Sequence, residues 1–205
     1  LENYILKNSY CISSISKKML SEIQSKVEIP LNKILFPNWI NHAEIFPDRE
    51  LGQNYRSSIN IPLDAFLILY SGNIGYKQGF EKIINIAVNY KKHKSVKFLF
   101  VGSGSGKEDL ITKIKENSLE NCKIMPPVEA YKLNHLLNSA DLHIVLQKEG
   151  LDNYILPSKL TNILGVGGEC LIFGSKNSEI ENLFKNHPGI INFITKDDIN
   201  KFNFE

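Results

Sequence analysis

Between residues 66 and 194, short apolar runs of strand length alternate with segments whose apolar positions recur every three or four residues. Phe66-Leu-Ile-Leu-Tyr70 is rich in strand formers, and Phe80, Ile83, Ile84, Ala87 and Val88 then follow at helical spacing. Val96–Val101 reads as a second strand, with Leu110, Ile111 and Ile114 on the helix after it. Cys122–Met125, Asp141–Leu146, Cys170–Phe173 and Ile190–Ile194 read as further strands. Leu133, Leu136 and Leu137 mark a short helix, and Leu160, Ile163 and Leu164 another, stopped by Gly167-Gly168. Strand alternating with helix implies crossover connections, and so an α/β fold: a mostly parallel sheet with helices on both faces.

The first 60 or so residues read differently. Ser13–Lys26 predicts one amphipathic helix with Ile15, Met19 and Ile23 on a face. Pro30, Pro37, Pro47 and Pro62 then punctuate a stretch of little periodicity, which predicts an extended linker on a surface. The expected division is therefore 1–60 and 61–205.

Composition narrows the partners. The chain has 205 residues, 42% hydrophobic and 22% charged, with a net charge of +2, so neither nucleic acid nor a membrane surface is expected as an electrostatic partner. Any phosphate must be held by a local site. Cys11, Cys122 and Cys170 form no CxxC pair, which fits a reducing, cytoplasmic compartment and core roles for the last two. No apolar run approaches the ~20 residues that span a bilayer. The chain opens on Leu1 and ends on Phe204-Glu205, and both ends read as cut from a longer protein. The histidines His42, His93, His135, His143 and His187 form neither HxH nor HExxH, so no metal ion is expected.

Parallel sheets bind ligands outside the carboxyl ends of their strands, and three candidate segments fall there. Ser71-Gly72-Asn73-Ile74-Gly75-Tyr76-Lys77-Gln78-Gly79 joins a strand to a helix. Its glycines admit close backbone approach, and a helix N-terminus with Lys77 would suit a phosphate. A tight turn with a solvated lysine is the alternative. Gly102-Ser103-Gly104-Ser105-Gly106 is neither a Walker A loop nor GxGxxG, and a flexible connection is its alternative. In the third, Pro157 and Ser158 can open a helix as N1 proline or N-cap serine, which places Lys159 and Asn162 on one face of its first turn. There the alternative is a capped surface helix with an outward lysine. Gln147 and Glu149 lie in the connection before it.

Five segments in order resemble glycosyltransferases of the GT-B fold, family 4, of the colanic-acid, capsule and exopolysaccharide type. Phe36-Pro-Asn-Trp-Ile-Asn41 through Phe46-Pro47 is similar to that family's "PNWVD…F.P" interdomain linker, and Tyr70–Gly79 to its "G(R/N)…KG" loop. Phe98–Gly104 resembles "hhhhGxG", Ala140–Gln147 "ADhhhhpQ", and Leu156–Leu164 with Gly167-Gly168 "PSKL…hLAxGG". The resemblance implies that residues 1–60 end an N-terminal domain and carry the linker. Residues 61–205 would form a Rossmann-like domain binding a nucleoside diphosphate sugar. It assigns Gly72, Asn73, Lys77 and Lys159 to the pyrophosphate, Val128 to the base through its backbone, and Asn162 to the ribose. Gln147 and Glu149 would lie near the donor sugar, Glu149 as the candidate catalytic residue. Gln78, Gly102, Gly104, Pro157 and Ser158 complete the donor-binding set. The implied reaction is retaining transfer without a required metal or cofactor. Its acceptor would be a glycan or a lipid-linked acceptor at the inner face of the plasma membrane, held by an N-terminal domain that this chain lacks. Many members carry Arg at the Asn73 position, Lys at the Gln78 position and Glu at the Asn162 position. Eight residues before Asn162 stands Tyr154, so the family's Glu-x7-Glu spacing does not include Glu149. Two rival readings are a nucleotide-sugar 2-epimerase of the same architecture and a binding module without turnover. The PNW and PSKL segments favour a transferase.

Overall fold

The structure is a computed structural model that describes residues 1–28, 32–76, 78–147, 156–175, 178–185, 187 and 189–194. Lys77 and Glu149 lie outside the described residues. The apolar runs form a six-stranded, all-parallel sheet of β3 (Phe66–Ser71), β4 (Val96–Val101), β5 (Cys122–Met125), β6 (Leu142–Leu146), β7 (Cys170–Phe173) and β8 (Ile191–Ile194). Their order is β5-β4-β3-β6-β7-β8. The chain winds outward from β3 to β5, returns beside β3, and winds the other way to β8. The strand order reverses between β3 and β6, and a crevice opens at the carboxyl ends of such a pair. There the ladder pairs only Ile68 with Leu142 and Leu69 with His143, whereas β3 pairs with β4 from Phe66 to Ser71.

The alternation of side chains along each strand sorts the core into two faces. Ile68, Tyr70, Phe98 and Phe100 face one way, under α4 (Glu81–Asn89) and α5 (Lys107–Glu116), where they meet Ile83, Ala87 and Leu110. Leu67, Leu69, Leu99 and Val101 face the other way and meet Tyr55 of α3 (Arg49–Ser58), Ile59 that ends it, and Leu136 of α6 (Leu133–Asn138). Val145, Cys170 and Ile172 continue that face under α7 (Ser158–Gly165) and α8 (Glu179–Phe184). No helix among the described residues is long and apolar enough to cross a membrane.

The N-terminal stretch departs from expectation twice. The helix expected over 13–26 is α2, Lys17–Ser25, and Ile12–Ser14 is instead a strand, β1, paired in parallel with β2 (Lys33–Leu35). Ser16 sets the boundary, because its hydroxyl caps the helix by accepting from Met19 N at 3.0 Å. Ser16 Oγ also donates to Glu179, whose other oxygen accepts from Lys17 N at 3.0 Å, so the first residue of α8 anchors the N-terminus of α2. A further helix, α1, spans Glu2–Asn8. The second departure is α3 itself, which lies where an extended linker was expected. Asp48 caps it through Leu51 N at 2.9 Å, and Tyr55 and Arg56 turn inward.

Candidate functional site

A cavity of about 390 Å³ opens at the carboxyl ends of the strands. Ser71, Gly72 and Asn73 line it after β3, Val101, Gly102 and Ser103 after β4, and Pro127 and Val128 after β5. Leu133, Leu136 and Leu137 of α6 supply an apolar wall, and Lys159 and Asn162 of α7 close the polar side. Six of the residues picked out from the sequence thus meet in one place: Gly72, Asn73, Gly102, Val128, Lys159 and Asn162. Gln78, Gly104, Gln147, Pro157 and Ser158 stand outside its wall. The α6 leucines were legible only as a helix core face, since nothing in their spacing separates a core contact from a cavity wall.

The second glycine segment is the bed of the first, not a flexible connection. Gly72 N donates to Val101 O at 2.9 Å, Ile74 N to Ser103 O at 2.8 Å, and Gly106 N to Ile74 O at 2.8 Å, which carries the β3–β4 pairing into the loops. A Cβ on Gly102 would stand 1.9 Å from Gly72 O, and one on Gly104 would stand 2.4 Å from Ile74 O. Only glycine permits this approach. Gln78 fastens the same loop from within: its Oε1 accepts from Gly75 N at 3.1 Å and lies 2.9 Å from the Tyr70 hydroxyl.

At α7 the expected capping roles are exchanged. Pro157 takes the cap position with extended backbone, and Ser158 is the first helical residue. A residue with helical φ/ψ cannot turn its side chain back as a cap, and proline has none to offer. Among the described residues no side chain caps α7; Leu160 N donates to Pro157 O at 3.0 Å, and the N–H groups of Ser158 and Lys159 are left for an incoming acceptor. From this turn Lys159 points inward, not out to solvent. Its Nζ lies 4.2 Å from the centre of the Tyr70 ring and 2.9 Å from where a Cβ on Gly72 would stand. Among the described residues, no carboxylate pairs with it. Burial lowers its pKa to about 8, opposed weakly by the nearby Cys170. Burial also pushes the Cys170 thiol up to about 12, so it remains a thiol, and the three cysteines form no disulfide.

His143 lies beneath this site on β6, fully buried, with the Gly168 backbone against its ring. Neither ring nitrogen makes a hydrogen bond, although the Leu137 backbone is close enough to oppose the effect of burial in part. Burial lowers its pKa to about 4. An unfolded chain binds this proton near pH 6.5 and the folded one does not, so stability is lost as pH falls from 6.5 towards 4. The loss should reach about 2 kcal/mol by pH 5. Denaturant unfolding of wild type and His143→Leu at pH 7 and pH 5 checks this; an acid loss of the same size in both rules His143 out as its source.

Among the described residues no three His, Cys, Asp or Glu side chains cluster as metal ligands. Residues 53–151 match the family described as "Glycosyl transferases group 1". Over 187 residues the chain is 36% identical to the Escherichia coli (strain K12) protein WcaI, assigned by name as a colanic acid biosynthesis glycosyl transferase; the match covers 90% of this chain and 46% of WcaI. Among solved structures, sucrose-phosphate synthase from Thermosynechococcus elongatus superposes with a TM-score of 0.76 at 16% identity, covering 97% of this chain and 48% of that one. The Anabaena protein HepE in complex with UDP-glucose also gives 0.76, at 12% identity, covering 97% and 55%. The chain therefore spans about half the length of these relatives.

Proposed function

We propose, from the premise that residues 53–151 belong to the glycosyl transferases group 1 family, that the cavity holds the nucleoside diphosphate of a sugar donor. The protein would act in retaining transfer of that sugar to a glycan or lipid-linked acceptor during bacterial surface polysaccharide synthesis. One observation carries this reading: an inward lysine that has no carboxylate partner among the described residues faces a glycine loop beside a helix N-terminus that no described side chain caps. A cation, free N–H groups and a positive dipole end converge on one spot, and a diphosphate supplies the missing negative charge. When the bond from the sugar to the diphosphate breaks, negative charge grows on the leaving oxygen. Groups already oriented toward it stabilise that change without reorganising. The α6 leucines and Val128 would face the base, and Asn162 the ribose as an uncharged partner for a hydroxyl. The solved complex of HepE with UDP-glucose, alike in fold, supports a nucleotide sugar as donor.

Titration calorimetry of the 205-residue chain with UDP, GDP, their glucose and mannose conjugates and pyrophosphate tests the reading. At least one nucleoside diphosphate should bind, with EDTA leaving the affinity unchanged. Failure of every probe to bind overturns the site, and loss of binding on chelation overturns its independence from metal. The same chain should give no acceptor-dependent sugar transfer, because relatives of twice its length would supply the groups that position an acceptor. Robust turnover by residues 1–205 would show that positioning to be present already.

A further inference from the structure

We infer that Tyr70, which does not line the cavity, is a positioning residue that aims the Lys159 ammonium and fixes the Gly72–Gln78 loop around a bound diphosphate. The inference rests on the reading of the cavity as a diphosphate site. Tyr70 is 1% exposed at the end of β3, with its ring packed edge-on against Phe80 at 4.8 Å. Its two halves do different work. The ring face lies under Lys159 Nζ at 4.2 Å, where the negative face of the π system attracts a cation. A carboxylate in that place would hold the lysine too, but it would cancel the charge that an anion needs. An aromatic face holds the ammonium and leaves its charge free.

The hydroxyl acts on the loop. Its one proton is within reach of Asn73 O at 2.6 Å and Gln78 Oε1 at 2.9 Å, and Gln78 Oε1 accepts from Gly75 N at 3.1 Å. The single proton, shared between these two acceptors, ties the turn to the strand from which it springs, and Gln78 Oε1 holds the turn closed through Gly75 N. Burial raises the Tyr70 phenol well above its ordinary value, so these ties persist through neutral and mildly alkaline pH. One side chain thus sets the position of the lysine against the loop backbone, the two groups that would face the diphosphate side by side.

A double-mutant cycle separates this role from simple support of the fold. Affinities for pyrophosphate, UDP and uridine are measured by calorimetry for wild type, Tyr70→Leu, Tyr70→Phe, Lys159→Met and Tyr70→Leu/Lys159→Met. Tyr70→Leu should weaken pyrophosphate and UDP about tenfold and leave uridine unchanged, the double variant binding no worse than Lys159→Met alone. Tyr70→Phe keeps the ring and should lose about threefold for pyrophosphate, the effect of the freed loop. Parallel losses for UDP and uridine, or additive effects in the double variant, overturn the inference. If Tyr70→Leu does not fold, Tyr70→Phe decides, and unchanged pyrophosphate affinity overturns it. If Lys159→Met itself leaves pyrophosphate affinity unchanged, the diphosphate reading has failed; if only the Tyr70 variants bind as wild type, that reading stands and this inference falls.

Discussion

Replacing Lys159 with methionine is expected to weaken nucleoside diphosphate binding and, in the same protein, to raise the stability of the ligand-free fold. The two effects share a cause. The folded chain holds the ammonium against an aromatic ring and away from water, with a pKa lowered to about 8. At pH 7 the lysine is charged in both states, and the folded state bears the cost of its desolvation. Because the folded pKa lies below the unfolded one, the unfolded chain binds more protons between pH 8 and about 10.5. Wild-type stability therefore climbs with pH through that window. Lys159→Met keeps most of the buried stem and removes the charge, so it should gain about 2 kcal/mol at pH 7, with the gain shrinking as pH rises toward 10.5. Affinity moves the other way, by the roughly 1.5–3 kcal/mol of a hydrogen bond to a charged group. A bound diphosphate also raises the lysine's pKa, so wild-type affinity should be full below pH 8 and fall above it, with proton uptake on binding near pH 8.5. Calorimetry in two buffers of different ionisation enthalpy detects that uptake. Equal affinities in the two proteins, or no proton uptake in wild type, removes Lys159 from the site.

The parts of this site that were legible in the sequence are those fixed by the main chain. Strands buried on both faces are nearly continuous apolar runs, so β4, β5 and β7 fall on the residues expected, Val96–Val101, Cys122–Met125 and Cys170–Phe173. Glycines after β3 and β4 located the crevice because close backbone approach admits nothing else. What was hidden depends on partners distant in sequence. The ten residues of α3 hold only Leu51 and Tyr55 as apolar signals, and a Cβ on Gly52 would stand 2.1 Å from Asn138 O. Its inner face is made for tight contact with one other helix, and such a face has no apolar period to read. Lys159 illustrates the same limit. Its place in a first helical turn followed from Pro157 and Ser158, but its inward direction follows from Tyr70, nearly ninety residues earlier. Tyr70 read as a strand residue with no partner to name. The WcaI likeness covers 90% of the chain, which makes the order of the motifs informative where any one alone is weak.

Arg56→Ala should cost more stability than any other single change considered, about 3 kcal/mol or somewhat above, while leaving pyrophosphate affinity of the folded protein unaltered. Arg56 sits in the last turn of α3 and is 7% exposed. Its Nε donates to Ser139 O at 2.6 Å, Nη1 to Ala65 O at 2.9 Å, and Nη2 to Asp141 Oδ2 at 2.6 Å. That carboxylate oxygen also accepts from Leu67 N at 2.6 Å, the backbone amide that starts the inner part of β3. One guanidinium therefore ties α3, the entry to β3 and the turn into β6 at the end of the sheet opposite the cavity. Removing it strands two buried carbonyls and leaves Asp141 without its cation. Loss of one partner from a buried pair costs roughly 3–5 kcal/mol. Here the lower end applies, because the Asp141 side chain is 37% exposed and water can replace part of what it loses. Arg56→Lys should recover less than half, since one ammonium cannot serve acceptors that point in three directions. Arg56→Ala/Asp141→Asn should be milder than Arg56→Ala, because no unpaired charge then remains. Urea unfolding gives the stabilities, and calorimetry at a temperature where all variants are folded gives the affinities. A loss under about 1 kcal/mol for Arg56→Ala would place the pair among surface ion pairs and leave the docking of α3 to Tyr55 and Ile59 alone.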